Sequence, residues 1–136
     1  VALIPDGVHV APAMLKLAIR AKGIEKAILT TDRTAIAGLG SAEPKRRHLR
    51  IERGAMRFDD GALAGSIISM LDGVRTMVKN AGVTLGDAVR MAAANPAMLL
   101  GHGDRGRIEA GARADLIVLD RDLKLRTVFA AGCELV

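Results

Sequence analysis

Aromatic residues are scarce in this 136-residue chain, which has two phenylalanines and neither tyrosine nor tryptophan. Proteins that bind single-stranded nucleic acid commonly stack bases on aromatic side chains, so this shortage weighs against a nucleic-acid partner. The net charge is +5, and the positive residues are densest at Lys45-Arg46-Arg47. We interpret that run as a solvated loop, while the overall positive field would slightly favour an anionic small substrate.

Cysteine and long apolar runs are also lacking. Cys133 is the single cysteine, which excludes an intramolecular disulfide and a cysteine-based zinc site and fits a reducing compartment. No apolar run approaches the roughly 20 residues of a membrane span, and no secretory leader is recognisable. We therefore expect a cytoplasmic protein. The start at Val1, without a methionine and inside what reads as a strand, leads us to expect part of a longer protein.

The first 32 residues follow the pattern strand, helix, strand. The helix is predicted to begin at Pro12 and end at Gly23, with an inward face of four apolar residues: Met14, Leu15, Ala18, Ile19. Such a connection makes the two strands parallel neighbours. His9 follows the first strand and Asp32 the second, so we expect both at the carboxyl edge of the sheet, where ligands bind in such folds. The alternative is that Asp32 only caps a turn.

The pattern of apolar and polar residues changes after residue 48. Residues 49–58 alternate between apolar and charged side chains around Arg53-Gly54, which predicts an antiparallel hairpin. Leu63-Ala64-Gly65-Ser66 follows, and we interpret it as a small-residue loop before a helix. Its backbone N–H groups can hold an anion, or Ser66 can be an ordinary N-cap.

Three consecutive helices and a β-meander complete the chain. The helices are predicted at residues 67–80, 84–94 and 95–101, the second with a capping box at its start. Residues 106–136 predict short strands, the first of them at Gly106-Arg107-Ile108. The first helix carries an apolar face that we assign to the core: Met70, Val74, Met77, Val78.

Three motifs, in this order and spacing, resemble the carboxyl-terminal part of the N-acetylglucosamine-6-phosphate deacetylases of the amidohydrolase superfamily. They are Asp6-Gly7-Val8-His9-Val10, Leu29-Thr30-Thr31-Asp32 with Ala37-Gly38 beyond it, and Leu63-Ala64-Gly65-Ser66. The resemblance implies an α/β fold comprising the C-terminal part of a metal-dependent-hydrolase (β/α)8 TIM barrel plus strands of a small β-sandwich. It assigns residues 1–41 and 62–103 to the barrel, and residues 42–61 and 104–136 to the sandwich.

The resemblance also implies a reaction, the hydrolysis of the acetamide of N-acetylglucosamine 6-phosphate to glucosamine 6-phosphate and acetate. Asp32 matches the family's catalytic aspartate, which acts as general base and then as acid toward a metal-activated water. His9 matches a histidine that contacts the substrate. Arg33 and Thr34 follow where the family more often has small residues, which predicts either crowding of the site or an added anion contact. The remaining substrate-binding positions implied are Asp6, Gly7, Val8, Leu63, Ala64 and Gly65.

A divalent metal, with zinc expected, belongs to the full-length protein that this resemblance implies. The family's ligands are a glutamate and two histidines, and the three histidines of this chain are too scattered for a metal-binding spacing. We therefore expect the chain alone to bind no catalytic metal and to be inactive. The implied partners are an amino-sugar phosphate and, at full length, a second copy in a homodimer. The alternatives are a non-catalytic truncated or assembly fragment, and an amidohydrolase acting on another amide.

Overall fold

The computed structural model describes residues 1–38 and 48–135 and has an α/β fold. The basic run Lys45-Arg46-Arg47 lies outside these residues. Strands β1 (Ala2–Leu3) and β2 (Ile28–Leu29) pair in parallel, with Leu3 opposite Leu29. This pairing confirms the prediction of parallel neighbours. It follows from the helical connection, because a crossover returns the chain to the same end of the sheet.

Helix α1 (Pro12–Lys22) provides that connection and is followed by a 3₁₀ turn at Ile24–Lys26. Proline at the first position and Gly23 at the end, with φ +79°, confirm the predicted boundaries. Leu15 is fully buried, but Met14 is 53% exposed and the prediction that it faces the core was wrong. Leu15 lies in the core, and Ala18 and Ile19 pack against it.

A three-stranded antiparallel sheet lies next along the chain, in the order β3 (Leu49–Glu52), β4 (Ala55–Phe58), β5 (Leu63–Ser66). Its first two strands form the predicted hairpin, with a two-residue turn at Arg53-Gly54 that has positive φ at both positions. The interpretation of residues 63–66 as a loop was wrong, because their backbone pairs with β4. This sheet crosses the proposed boundary between residues 61 and 62, and the domain division stays a prediction.

Helix α2 (Met70–Thr76) begins three residues later than predicted and runs on as a π-helical turn at Met77–Ala81. The expected N-cap at Ser66 was wrong. Ser69 caps the helix in a reciprocal capping box with Asp72, since each side chain bonds the other residue's backbone N–H.

The remaining helices form one continuous helical stretch. Thr84 caps helix α3 (Leu85–Val89) as predicted, by accepting the backbone N–H of Asp87. A π-helical turn at Arg90–Ala94 leads into helix α4 (Asn95–Leu99) without a break. Within the described ranges, no helix has the length and apolar character needed to cross a bilayer.

The core lies between the parallel strands and these helices. Val74 and Met77 are buried there, with Met70 and Val78 packed against them, which confirms the predicted apolar face of α2. Methionine suits this position because its flexible side chain fills irregular gaps. The buried residues of the cluster are Leu3, Leu15, Ala27, Leu29, Val74, Met77, Ala81, Ala88 and Met91.

The chain ends in a second antiparallel sheet, in the order β6 (Leu116–Leu119), β7 (Leu125–Ala130), β8 (Cys133–Glu134). The predicted meander is therefore confirmed for these strands. The first strand expected, at residues 106–108, is absent from the described part of the chain. Gly106 has φ +79° and lies tightly against the Ala93 backbone, so the chain turns there.

Asn95 holds the segment that leads into β2. It is 4% exposed, and its side-chain amide donates to the carbonyls of Ile24 and Ala27 at 2.7 Å each. We expect Asn95→Ala to lower the free energy of unfolding by about 2 kcal/mol, because a buried carbonyl would lose its donor. Urea unfolding measures the change. Asn80→Ala, at an exposed helical asparagine, is the control, and equal unfolding midpoints for the two variants would contradict the assignment.

Candidate functional site

The site lies at the carboxyl edge of the parallel strands. The loop at residues 6–10 follows β1, and Thr30-Thr31-Asp32 follows β2. Because β1 and β2 run in the same direction, both segments leave the sheet at the same edge. Asp32 is exposed and open to a ligand, whereas His9 is half-buried.

Asp6 and His9 form a compact pair within their loop. One oxygen of the Asp6 carboxylate accepts the backbone N–H groups of Val8 and His9 at 2.9 and 2.8 Å, and the other accepts the Nδ1–H of His9 at 2.6 Å. The side chain of Asp6 is 0% exposed and that of His9 is 14% exposed. The carboxylate therefore shapes the turn and orients the imidazole, which leaves Nε2 available for a ligand.

The charge state of Asp6 reflects two opposing effects. Burial by itself raises the pKa of the Asp6 carboxyl, but hydrogen bonds from the His9 side chain and from the backbone N–H groups of Val8 and His9 outweigh it. The pKa is consequently held below its ordinary value, and Asp6 is an ionised acceptor at neutral pH.

Asp32 lies in a segment held by strand β5. Its φ is +47°, in the left-handed region that non-glycine residues seldom occupy. The carbonyl of Asp32 accepts the backbone N–H of Ser66 at 2.8 Å, and the N–H of Thr34 donates to the Ser66 carbonyl at 3.1 Å. Arg33 and Ser66 form an isolated parallel bridge between these bonds. The second and third motifs of the sequence thus meet through backbone pairing.

The antiparallel sheet approaches both strand ends, and Gly65 allows the closer of the two approaches. A Cβ at Gly65, where φ is +112°, would lie 2.8 Å from the Asp32 carbonyl oxygen and 2.9 Å from the Thr34 methyl group. A Cβ at Gly54 would lie 3.6 Å from a methyl group of Val8. The sheet β3-β4-β5 therefore contacts the His9 loop with its hairpin turn and the Asp32 segment with β5.

Arg33, the residue after Asp32, connects two backbone segments through its side chain. Its Nη1 donates to the Ile67 carbonyl at 2.5 Å and its Nη2 to the Ala37 carbonyl at 3.0 Å. The guanidinium therefore ties the turn after Asp32 to the chain after β5. Thr34 places its Oγ1 in the interior without a hydrogen-bond partner among the described residues.

The structure brings most of the predicted site residues into one region. Asp6, Gly7, Val8 and His9 share one loop, Asp32 lies at the neighbouring strand end, and Gly65 contacts it. Leu63 and Ala64 lie earlier on β5, where Leu63 pairs with Arg57 and is 39% exposed. The substrate-binding and catalytic roles of these residues stay predictions. Ser66, which bonds the Asp32 segment, was missed because it was interpreted only as a helix cap.

The site does not by itself provide a metal centre. Among residues 1–38 and 48–135, no three His, Cys, Asp or Glu side chains come together as ligands. A structural zinc needs four ligands and a catalytic zinc three. The described residues therefore do not fit the metal that the resemblance implies.

A parallel β/α unit with a strand-end carboxylate, accompanied by helices and antiparallel sheets, makes this an α/β protein with a candidate site at its strand ends. The model of the amidohydrolase family matches residues 2–135, and the chain belongs to this family.

Similar proteins agree with that membership. The N-acetylgalactosamine-6-phosphate deacetylase of Escherichia coli O157:H7 is 35% identical over 96% of this chain and 35% of its own length. The N-acetylglucosamine-6-phosphate deacetylase of Bacillus subtilis (strain 168) is 35% identical over 96% of this chain and 34% of its own length. A variant of the Mycobacterium smegmatis N-acetyl-D-glucosamine-6-phosphate deacetylase, solved with N-acetyl-D-glucosamine-6-phosphate, superposes with a TM-score of 0.85 at 34% identity, covering 98% of this chain and 36% of that one. The chain thus spans about a third of each of these proteins.

Proposed function

We propose that this chain is the carboxyl-terminal part of an enzyme that hydrolyses the acetamide of an N-acetylhexosamine 6-phosphate, with N-acetylglucosamine 6-phosphate as the first substrate to test. The observation that carries the proposal is Asp32, an exposed carboxylate fixed beyond a parallel strand. The proposal includes a (β/α)8 barrel, to which residues 1–41 and 62–103 contribute, and a β-sandwich, to which residues 42–61 and 104–136 contribute.

Asp32 is assigned the proton transfers of this reaction. As the water oxygen bonds to the acetyl carbon, the Asp32 carboxylate accepts a proton from that water. It then gives the proton to the amide nitrogen as the carbon–nitrogen bond breaks, so the products are the free amine and acetic acid, which ionises to acetate at neutral pH. Asp32 ends the cycle as a carboxylate, which allows it to repeat the transfer.

His9 is assigned to the substrate. Its Nδ1–H is engaged by Asp6, so Nε2 is the ring nitrogen available to a sugar or phosphate oxygen. The buried Asp6 carboxylate orients the ring through this hydrogen bond. Gly7, Val8, Leu63, Ala64 and Gly65 would line the same pocket, which the Gly54 turn and β5 approach from one side.

The metal, assembly and location are further parts of the proposal. Deacetylases of this family depend on a divalent metal in general, and zinc is the ion we expect. Its ligands would come from residues outside the described part of this chain, because the described residues do not assemble such a set. We propose a homodimer in the cytoplasm.

An acetate-release assay can identify the substrate. In a full-length protein that contains this chain, we expect acetate release from N-acetylglucosamine 6-phosphate to exceed release from unphosphorylated N-acetylglucosamine. The galactose epimer belongs in the same assay because a relative at 35% identity is named for it. Acetate from neither phosphate, with a folded and metal-loaded protein, would contradict the proposal and favour a non-catalytic chain or another amide substrate.

A further inference from the structure

Ser66 makes contacts to the Asp32 segment that helix capping does not explain. The residue is 0% exposed at the end of β5. Its hydroxyl donates to the Thr31 carbonyl, its backbone N–H donates to the Asp32 carbonyl, and its own carbonyl accepts the N–H of Thr34. All three polar groups of one buried serine therefore bond to residues 31–34, and the hydroxyl also accepts the backbone N–H of Ile68 at 3.4 Å.

These contacts lie on both sides of Asp32, whose backbone conformation is strained. Asp32 has φ +47°, a conformation that needs support from the surrounding structure in a residue other than glycine. Ser66 bonds the residue before Asp32, Asp32 itself, and the second residue after it. Gly65 allows this proximity, because any larger residue would collide with the Asp32 carbonyl.

We infer that Ser66 is a positioning residue that sets the direction of the Asp32 carboxylate, an inference that rests on the proposed function. The hydroxyl is the part of Ser66 that the backbone cannot replace, because its bond to Thr31 fixes the chain immediately before Asp32. Without that bond, Asp32 can relax toward negative φ, which turns its side chain away from the reacting atoms. A displacement of about 1 Å can lower a catalytic rate by about 100-fold.

The test compares two nearby serines in a full-length protein that contains this chain. Ser66→Ala removes the bond to Thr31, while Ser69→Ala removes the cap of α2 and leaves the Asp32 segment untouched. We expect both variants to lose some thermal stability. Only Ser66→Ala should lower kcat for the phosphorylated substrate, by about 10- to 100-fold, with KM nearly unchanged. Ser66→Thr, which keeps the hydroxyl, should restore most of kcat.

The outcomes separate this inference from the proposed function. If the unmodified protein releases acetate and Asp32→Asn does not, a Ser66→Ala variant with normal kcat overturns the positioning role. Equal losses of kcat in Ser66→Ala and Ser69→Ala also overturn it, since both would then act through stability. If the unmodified protein releases no acetate, hydrogen exchange at the Thr34 amide decides: the inference requires faster exchange in Ser66→Ala than in Ser69→Ala, and equal rates overturn it.

Discussion

Asp32→Asn should lower kcat by about 10² to 10⁴ in a full-length protein that contains this chain, the contribution typical of a positioned general acid-base group. Asparagine keeps the shape of the side chain but cannot accept a proton, so the attacking water and the leaving nitrogen both lose their proton carrier. Substrate binding should change little, because the amide fills the same space. The measurements are acetate release and direct binding of N-acetylglucosamine 6-phosphate.

A matched aspartate controls for the loss of one negative charge. Asp122 is exposed in the turn between β6 and β7, far along the chain from the strand ends. Asp122→Asn should leave kcat unchanged. An Asp32→Asn protein with near-normal turnover would refute the role assigned to Asp32.

His9→Ala should weaken binding of the phosphorylated substrate by about 10- to 100-fold, because a hydrogen bond to a charged group contributes about 1.5–3 kcal/mol. Binding of unphosphorylated N-acetylglucosamine should weaken much less, since this sugar has no phosphate dianion to form a hydrogen bond with the imidazole. The KM for the unphosphorylated sugar divided by the KM for the phosphorylated sugar therefore reports this contact more directly than either KM alone.

Two variants show whether the effect belongs to the oriented ring. His102→Ala, at an exposed loop histidine, should leave the ratio unchanged. Asp6→Asn should reduce the ratio less than His9→Ala does, because the imidazole remains but loses the buried carboxylate that orients it. Equal losses for both substrates in His9→Ala would remove the phosphate contact from the proposal.

The parallel strands, α1 and the hairpin were predictable because their signals are local. Pro12 and Gly23 mark the helix ends, and Arg53-Gly54 provides the positive φ values of a tight turn. The pairing of β1 with β2 then follows from chain connectivity. The approach of His9 and Asp32 to one edge was predictable for the same reason.

The part of the site built by β5 was not predictable by these means. The small residues of Leu63–Ser66 have the composition of a loop, and only pairing with β4 and with the distant Asp32 segment makes them a strand. Only Ser66 was considered as the cap from the sequence, whereas Asp72 at the third position after Ser69 is the signal that identifies Ser69.

The distance along the chain between Ser66 and Thr31 has a kinetic consequence. These two bonded residues are 35 positions apart, whereas the bonds of α1 connect residues a few positions apart. Contacts that close long loops form late, since the entropy of closure must be overcome before they contribute. The helical segments should therefore form ahead of the contacts at the carboxyl edge, and removing the Ser66 hydroxyl should accelerate unfolding while leaving the folding rate almost unchanged.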